Sequence, residues 1–347
     1  MTRRLAVLAL VPLLAGCSGG SEPRNTEVAA GTVTIGYPAD LPRDRELANG
    51  ATVAVRQING LGGIDGALKI RLLVRAGRGG GTRAARALVD DGARILILPC
   101  DVRAQRRVAL AARRVLSFAT CDYDPRLVDR MPRVWAVGLP VDIEAAALMD
   151  YARNQGYRKL YIVRPVDAAG AQLDRYLRRA ARDRKLHLVG TPSAADALVS
   201  TRDARQTIAL LRHHEPVLAT DLADSRAILR GKGIVFTTFG FPDPGYATDE
   251  FYERYRSYYG VRPSSSRSAL GYAAIKLFER AVNRANSART GAVTRELRGL
   301  KWESPLGHAE YPSDGRRNPK VTVAVVRVVH GELDLVTRAA PNEVPTP

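Results

Sequence analysis

The stretch LANGATVAVRQINGLGGIDGALKIRLLV, residues 47–74, changes its hydrophobic period along its length. Between Asn49 and Asn59 the apolar residues recur at helical spacing and the run stops at Gly60, which predicts a helix over 49–59 with a glycine exit. From Leu68 the chain turns short, apolar and extended in character, which predicts a strand over 68–74. Upstream, TVTIGY over 32–37 is β-branched and reads as another strand. Downstream, the glycines of 77–81 read as a loop, and a helix over 82–91 is expected to begin on Thr82 as its cap. A strand over 95–98, a helix over 104–114 and strands over 115–119 and 134–138 follow. Strands alternating with helices argue for parallel sheets flanked by helices, an α/β architecture.

The alternation restarts after Val141. Helices over 143–155 and 168–183 enclose a strand over 159–163, and a strand over 187–189 follows. Further strands are expected over 197–199, 217–220 and 234–239, with a helix over 202–211. Helices over 251–259 and 269–286 lead to a terminal hairpin, 321–329 and 333–336, turning at Gly331. The polar, proline-bearing tail over 339–347 is expected to be loose. Two similar α/β halves, linked near 138–142 and again near 263–268, describe a two-lobed molecule with a cleft.

The first residues, MTRRLAVLALVPLLAGC, put Arg3 and Arg4 before an apolar run and small residues before Cys17. That is the plan of an export signal over 1–16, too short for a permanent membrane span. Leu14-Ala15-Gly16-Cys17 looks like a bacterial lipobox, which implies lipid on Cys17, a polar tether over 17–31 and an extracytoplasmic body held at the membrane. The formal charge of +18 on 347 residues invites a nucleic-acid reading. The arginines are scattered along helical stretches, however, without zinc-finger spacing, aromatic RNA-binding signature or basic zipper, so no nucleic-acid partner is expected.

The 47–74 stretch also resembles the opening of the leucine/isoleucine/valine-binding protein family, the type I periplasmic solute-binding proteins that serve importers of the ATP-binding cassette type. The shared features are the Asn49-Gly50 pair and Ile58-Asn59 followed by Gly62-Gly63. Further matches are LVDDG (88–92), TTFGFPDP (237–244), YGVRP (259–263) and GYAA (271–274), in the family's order. The resemblance implies two Rossmann-like lobes joined by three crossings, the first over 32–139 and 266–305, the second over 140–265 and 309–338. It implies a small solute bound between them at the strand ends, a membrane permease as partner, a monomer, and neither cofactor nor metal.

Cys100 and Cys121 each end a strand, and consecutive parallel strands are usually neighbours, about 4.8 Å apart. A disulfide is therefore expected in an exported protein, the alternative being two reduced cysteines packed as small hydrophobes. In the resembled family the loops after these strands hold a ligand carboxylate with hydroxyls and N–H groups. Here they read Pro99-Cys100-Asp101-Val102 and Thr120-Cys121-Asp122-Tyr123-Asp124, and acids at the mouth would repel a carboxylate. In the second lobe, after the strand over 159–163, the family often places a tyrosine before a glycine, whereas this chain reads Asp167-Ala168-Ala169-Gly170, and Asp221 stands where the family can present an acid to an ammonium. The expected ligand set is thus Asp101, Val102, Asp122, Tyr123, Asp167, Asp221 and Phe239, gripping a neutral polar or cationic solute. Aspartates at strand ends also cap helices, which is the plainer role for each.

An enzyme is the rival class. After Ile35 of the first strand the chain reads Gly36-Tyr37-Pro38-Ala39-Asp40, with no Gly-x-Gly-x-x-Gly, and GRGGGTRA (77–84) lacks the Gly-Lys-Ser/Thr ending of a phosphate loop. No nucleophile elbow or zinc helix appears, and no catalytic residue is assigned. A second rival keeps the fold and drops transport, leaving a ligand-sensing or degenerate lipoprotein.

Overall fold

The computed structural model describes residues 30–41, 44–76, 81–121, 123–213, 216–239, 247–313, 316 and 322–339. The export signal, Cys17, nearly all of the expected tether, Asp122 and residues 340–347 therefore lie outside the described residues. Gly31 at the end of the expected tether already belongs to the first strand, and Ala339 to the last.

The first half runs β1 (Gly31–Ala39), α1 (Arg45–Gly60), β2 (Leu68–Ala76), α2 (Thr82–Asp90), β3 (Ala93–Ile97), α3 (Val102–Ala111), β4 (Leu116–Ala119), α4 (Pro125–Arg130) and β5 (Val134–Ala136). Its five strands form one parallel sheet in the order β2-β1-β3-β4-β5. The short apolar strands β4 and β5 are buried throughout, as strands covered by helices on both faces must be.

The second half runs α5 (Val141–Asn154), β6 (Lys159–Ile162), α6 (Ala168–Asp183), β7 (His187–Leu188), β8 (Ala197–Ser200), α7 (Ala204–Leu210), β9 (Val217–Ala219) and β10 (Val235–Thr238). After β10 come α8 (Ala247–Tyr259), α9 (Arg267–Ala285), α10 (Thr290–Leu297), the hairpin β11 (Lys301–Ser304) and β12 (Gly307–Glu310), and finally β13 (Val323–Val329) and β14 (Glu332–Ala339). The second sheet has the order β14-β13-β10-β9-β8-β6-β7; β13 joins antiparallel to β10, and β14 antiparallel to β13.

The chain interleaves the two lobes. After β10 it returns to the first, where α9 lies along α1. Gly50 and Gly271 make that contact possible. A Cβ on Gly50 would stand 1.7 Å from the Ser268 carbonyl oxygen, and one on Gly271 2.0 Å from that of Leu47. The helix α8, within the 140–265 segment expected in the second lobe, packs against the first. Phe251 packs at a tilt against Tyr272, 4.9 Å between ring centres, and the Tyr255 hydroxyl donates to Glu46 Oε2 at 2.9 Å. Past β12 the chain runs beside β5, where the Tyr311 hydroxyl donates to the Ala136 carbonyl at 2.7 Å and Ala136 N to the Arg316 carbonyl at 3.0 Å.

Candidate functional site

The C-terminal ends of the parallel strands in both sheets converge on one seam between the lobes. From the first lobe it is lined by Cys100, Val102, Cys121 and Arg267, and from the second by Val141, Ala169, Leu173, Asp221 and Leu222. Cys100 and Cys121 follow the paired strands β3 and β4, and a disulfide joins them with their Cα atoms 5.0 Å apart. The Cys100 amide donates to Asp44 Oδ1 at 3.2 Å, so the loop after β3 is tied to the start of α1.

A buried polar cluster spans the seam. Arg267 at the first turn of α9 reaches across to Asp221, Nη2 to Oδ2 3.4 Å, with side chains only 12% and 2% exposed. Glu144 on α5 accepts from the Asp221 amide at 2.8 Å and from the Thr237 hydroxyl at 2.5 Å. Burial, and secondarily the neighbouring charge of Asp221, push the Glu144 carboxyl up to about 8, so it is protonated at neutral pH. Asp224 accepts from the Thr238 hydroxyl and the Ser266 amide, each at 3.0 Å, and from the Ser266 hydroxyl. Its carboxyl is also raised, chiefly by burial. Arg267–Asp221 and Ser266–Asp224 are thus two polar ties from the α8–α9 turn and α9 to the second lobe.

The expected ligand residues divide. Val102 and Asp221 line the seam. Asp101 caps α3, accepting from Ala104 N at 2.6 Å, and Asp167 caps α6, accepting from Gly170 N at 2.8 Å. Both carboxylates thus take the plainer role weighed for them. Tyr123 is buried in the first-lobe core with Leu127 and Val128, beside the first crossing, where its backbone pairs with Leu139 and Val141. Phe239, also buried, lines a different and larger groove of about 1160 Å³ with Tyr252 and Asp249. Asp122 lies outside the described residues.

Arg267, Glu144, Asp224 and Ser266 were not singled out by sequence reasoning. One signal was visible, a lone glutamate in the apolar run VDIEAAALM (141–149). The other three become notable only once distant strands bring their partners to them.

In this conformation the seam is filled among the described residues. The cavity among its lining residues is about 10 Å³, space for one water and no solute. Opening of the lobes has to precede entry of any guest.

The Periplasmic binding protein family matches the chain over residues 43–207 and 203–332. Solved structures with the same fold include an ABC transporter substrate-binding protein from Desulfitobacterium hafniense in complex with Leu. It is 20% identical, with a TM-score of 0.75, covering 88% of this chain and 100% of that one. The branched-chain amino acid transporter substrate binding protein LivJ from Streptococcus pneumoniae, in complex with isoleucine, is 16% identical, with a TM-score of 0.75 and 89% and 99% coverage. An ABC-transporter solute binding protein from R. palustris, in complex with 4-hydroxybenzoate, is 13% identical, with a TM-score of 0.75 and 89% and 97% coverage. No curated protein matches the sequence.

Proposed function

The chain belongs to the Periplasmic binding protein family, and we propose that it captures a small solute between its lobes and delivers it to an ATP-binding cassette permease. The family is one of binding proteins and not of enzymes. The observation that carries the proposal is the Arg267–Asp221 pair, which links the first turn of α9 in one lobe to the end of β9 in the other across the seam. In the filled seam the guanidinium already occupies Asp221. When the lobes part, Asp221 becomes available to a solute ammonium and Arg267 to a carboxylate, and a guest that meets both lobes favours reclosure.

The solute class therefore includes cationic and neutral polar molecules, as the acidic mouth suggested. It also extends to zwitterions, because Arg267 supplies a countercharge that the mouth loops lack. The leucine and isoleucine in the related structures support an amino-acid-like guest. Asp101 and Asp167, engaged as caps, hold the loops in place on this account, and Asp221 holds the solute. Calorimetry against free amino acids, amines and hydroxybenzoates is the test. One-to-one binding lost in Asp221→Asn is expected; binding of simple carboxylates only, unaffected by Asp221→Asn, would overturn it.

We further propose export and anchoring through lipid on Cys17, with the body a monomer. The support for the anchor is the Leu14–Cys17 sequence. Metabolic labelling with a fatty acid, abolished in Cys17→Ala, tests the anchor.

The filled seam favours a second role for the same fold, a sensor or non-transporting lipoprotein whose resting state is closed. Genes for a permease and an ATPase beside this one support import, and a neighbouring sensor kinase supports the alternative.

A further inference from the structure

A second site lies on the outer face of the lobe junction. It is a groove of about 640 Å³ among α3, α4 and α6, within the size range of small-ligand pockets. Its rim carries arginines from both lobes, Arg103, Arg106 and Arg113 from α3 and the turn after it, Arg130 from α4 and Arg175 from α6. The one acid in its lining is Asp124, and that carboxylate is already taken. Arg126 chelates it through Nε and Nη2 at 3.0 and 2.7 Å, and it caps α4 as well. None of the five rim arginines has an acidic partner among the described residues, whereas Arg178 on the neighbouring face of α6 pairs with Asp174 at 3.0 Å.

The floor is mostly apolar, with the buried Ser117 of β4 among its lining. Ala109 of α3, Leu127 of α4 and Val134 of β5 are buried, and Leu110, 54% exposed, stands at the side. Gln172 closes the groove from α6; it is 4% exposed, and its amide Nε2 has no hydrogen-bond partner among the described residues. Gathering like charges around a low-dielectric floor is unfavourable in the empty groove and focuses a positive potential into it. Guanidinium groups hold phosphate and carboxylate in bidentate fashion.

We propose that this groove binds a small organic anion with an apolar body. Its phosphate or carboxylate sits against Arg106, Arg130 and Arg175, its chain rests on Leu110 and Leu127, and the Gln172 amide donates to it. The recessed floor selects a free ligand over a membrane, since a flat bilayer could touch the rim arginines but not Leu127 or Val134. Because Arg175 and Gln172 belong to the second lobe and the other groups to the first, occupancy also favours the closed arrangement, independently of any guest in the seam.

Titration calorimetry of the full chain with monomeric octyl phosphate, at about 150 mM salt where surface charge is screened within about 8 Å, tests this. The expected result is saturable one-to-one binding, with inorganic phosphate at least about tenfold weaker. Arg106→Ala/Arg130→Ala and, separately, Leu110→Asp should each weaken octyl phosphate at least about tenfold. Arg83→Ala/Arg86→Ala, an equal charge change on α2, should alter it less than about twofold. All four positions are exposed arginines and Leu110 is exposed, so the variants keep the fold. Equal loss in the α2 control, equal affinity for inorganic phosphate, preferential binding to phosphatidylglycerol vesicles, or no saturable binding would each overturn the proposal.

Discussion

Asp221 and Arg267 show how two residues 46 positions apart make one functional unit. Both are removed from water, so each depends on the other. Losing one partner of a buried pair leaves an uncompensated charge, which typically costs about 3–5 kcal/mol. Arg267→Ala should therefore lower the urea midpoint strongly, and Arg267→Ala combined with Asp221→Asn should recover part of the loss. Glu144 gives a pH signature. Its folded-state carboxyl titrates near 8, above its ordinary value of 4.5, so the native protein holds a proton that the unfolded chain has released between those values. That contribution to stability is fully present below about pH 4.5 and is lost as pH rises towards 8. The raised carboxyls of Asp44 and Asp224 act in the same direction. Melting temperature should fall as pH rises from about 5 to 8, with a shallower slope in Glu144→Gln, whose amide oxygen still accepts from Thr237 and Asp221. An identical slope in that variant would contradict the assignment.

At the scale of elements, the α1–α9 contact decides how the first lobe is assembled. Any side chain at Gly50 or Gly271 meets a backbone carbonyl that cannot rotate away. Gly50→Ala and Gly271→Ala should each destabilise by at least the roughly 1–3 kcal/mol of an overpacked core, as read by thermal or urea unfolding. The disulfide closing the β3–α3–β4 loop should contribute roughly 3 kcal/mol, seen as a lower urea midpoint on reduction. The longer elements were legible because their apolar period is unambiguous. The helix expected over 168–183 is α6 (Ala168–Asp183), and the strand over 159–163 is β6 to within one residue. Short elements escaped. The six-residue α4 starts on Pro125, and α10 and the β11–β12 hairpin hold too few apolar repeats to declare a period. Thr82 was expected to cap α2, but the left-handed Gly81, φ 73°, stands there. The site was legible only in part. A strand-end aspartate looks the same in sequence whether it caps a helix, as Asp101 does, or faces a seam, as Asp221 does. The difference lies in which lobe comes opposite, and that is set by the chain's return through α9.

At the scale of the whole molecule, two lobes built from interleaved segments meet at a seam with a buried ion pair, buried acids and almost no free volume among the described residues. Such a seam is stable closed yet expensive to leave half satisfied, which suits a two-state hinge better than a gradual one. The central claim is that this hinge opens to admit a solute. Pulsed electron-spin measurement of the distance between labels on the exposed positions 86 and 179, one in each lobe, tests it directly in a Cys17→Ser background. The prediction is a second, longer separation in the ligand-free protein, enriched in Arg267→Ala and abolished by a bound solute. A single short separation under every condition, Arg267→Ala included, would contradict it.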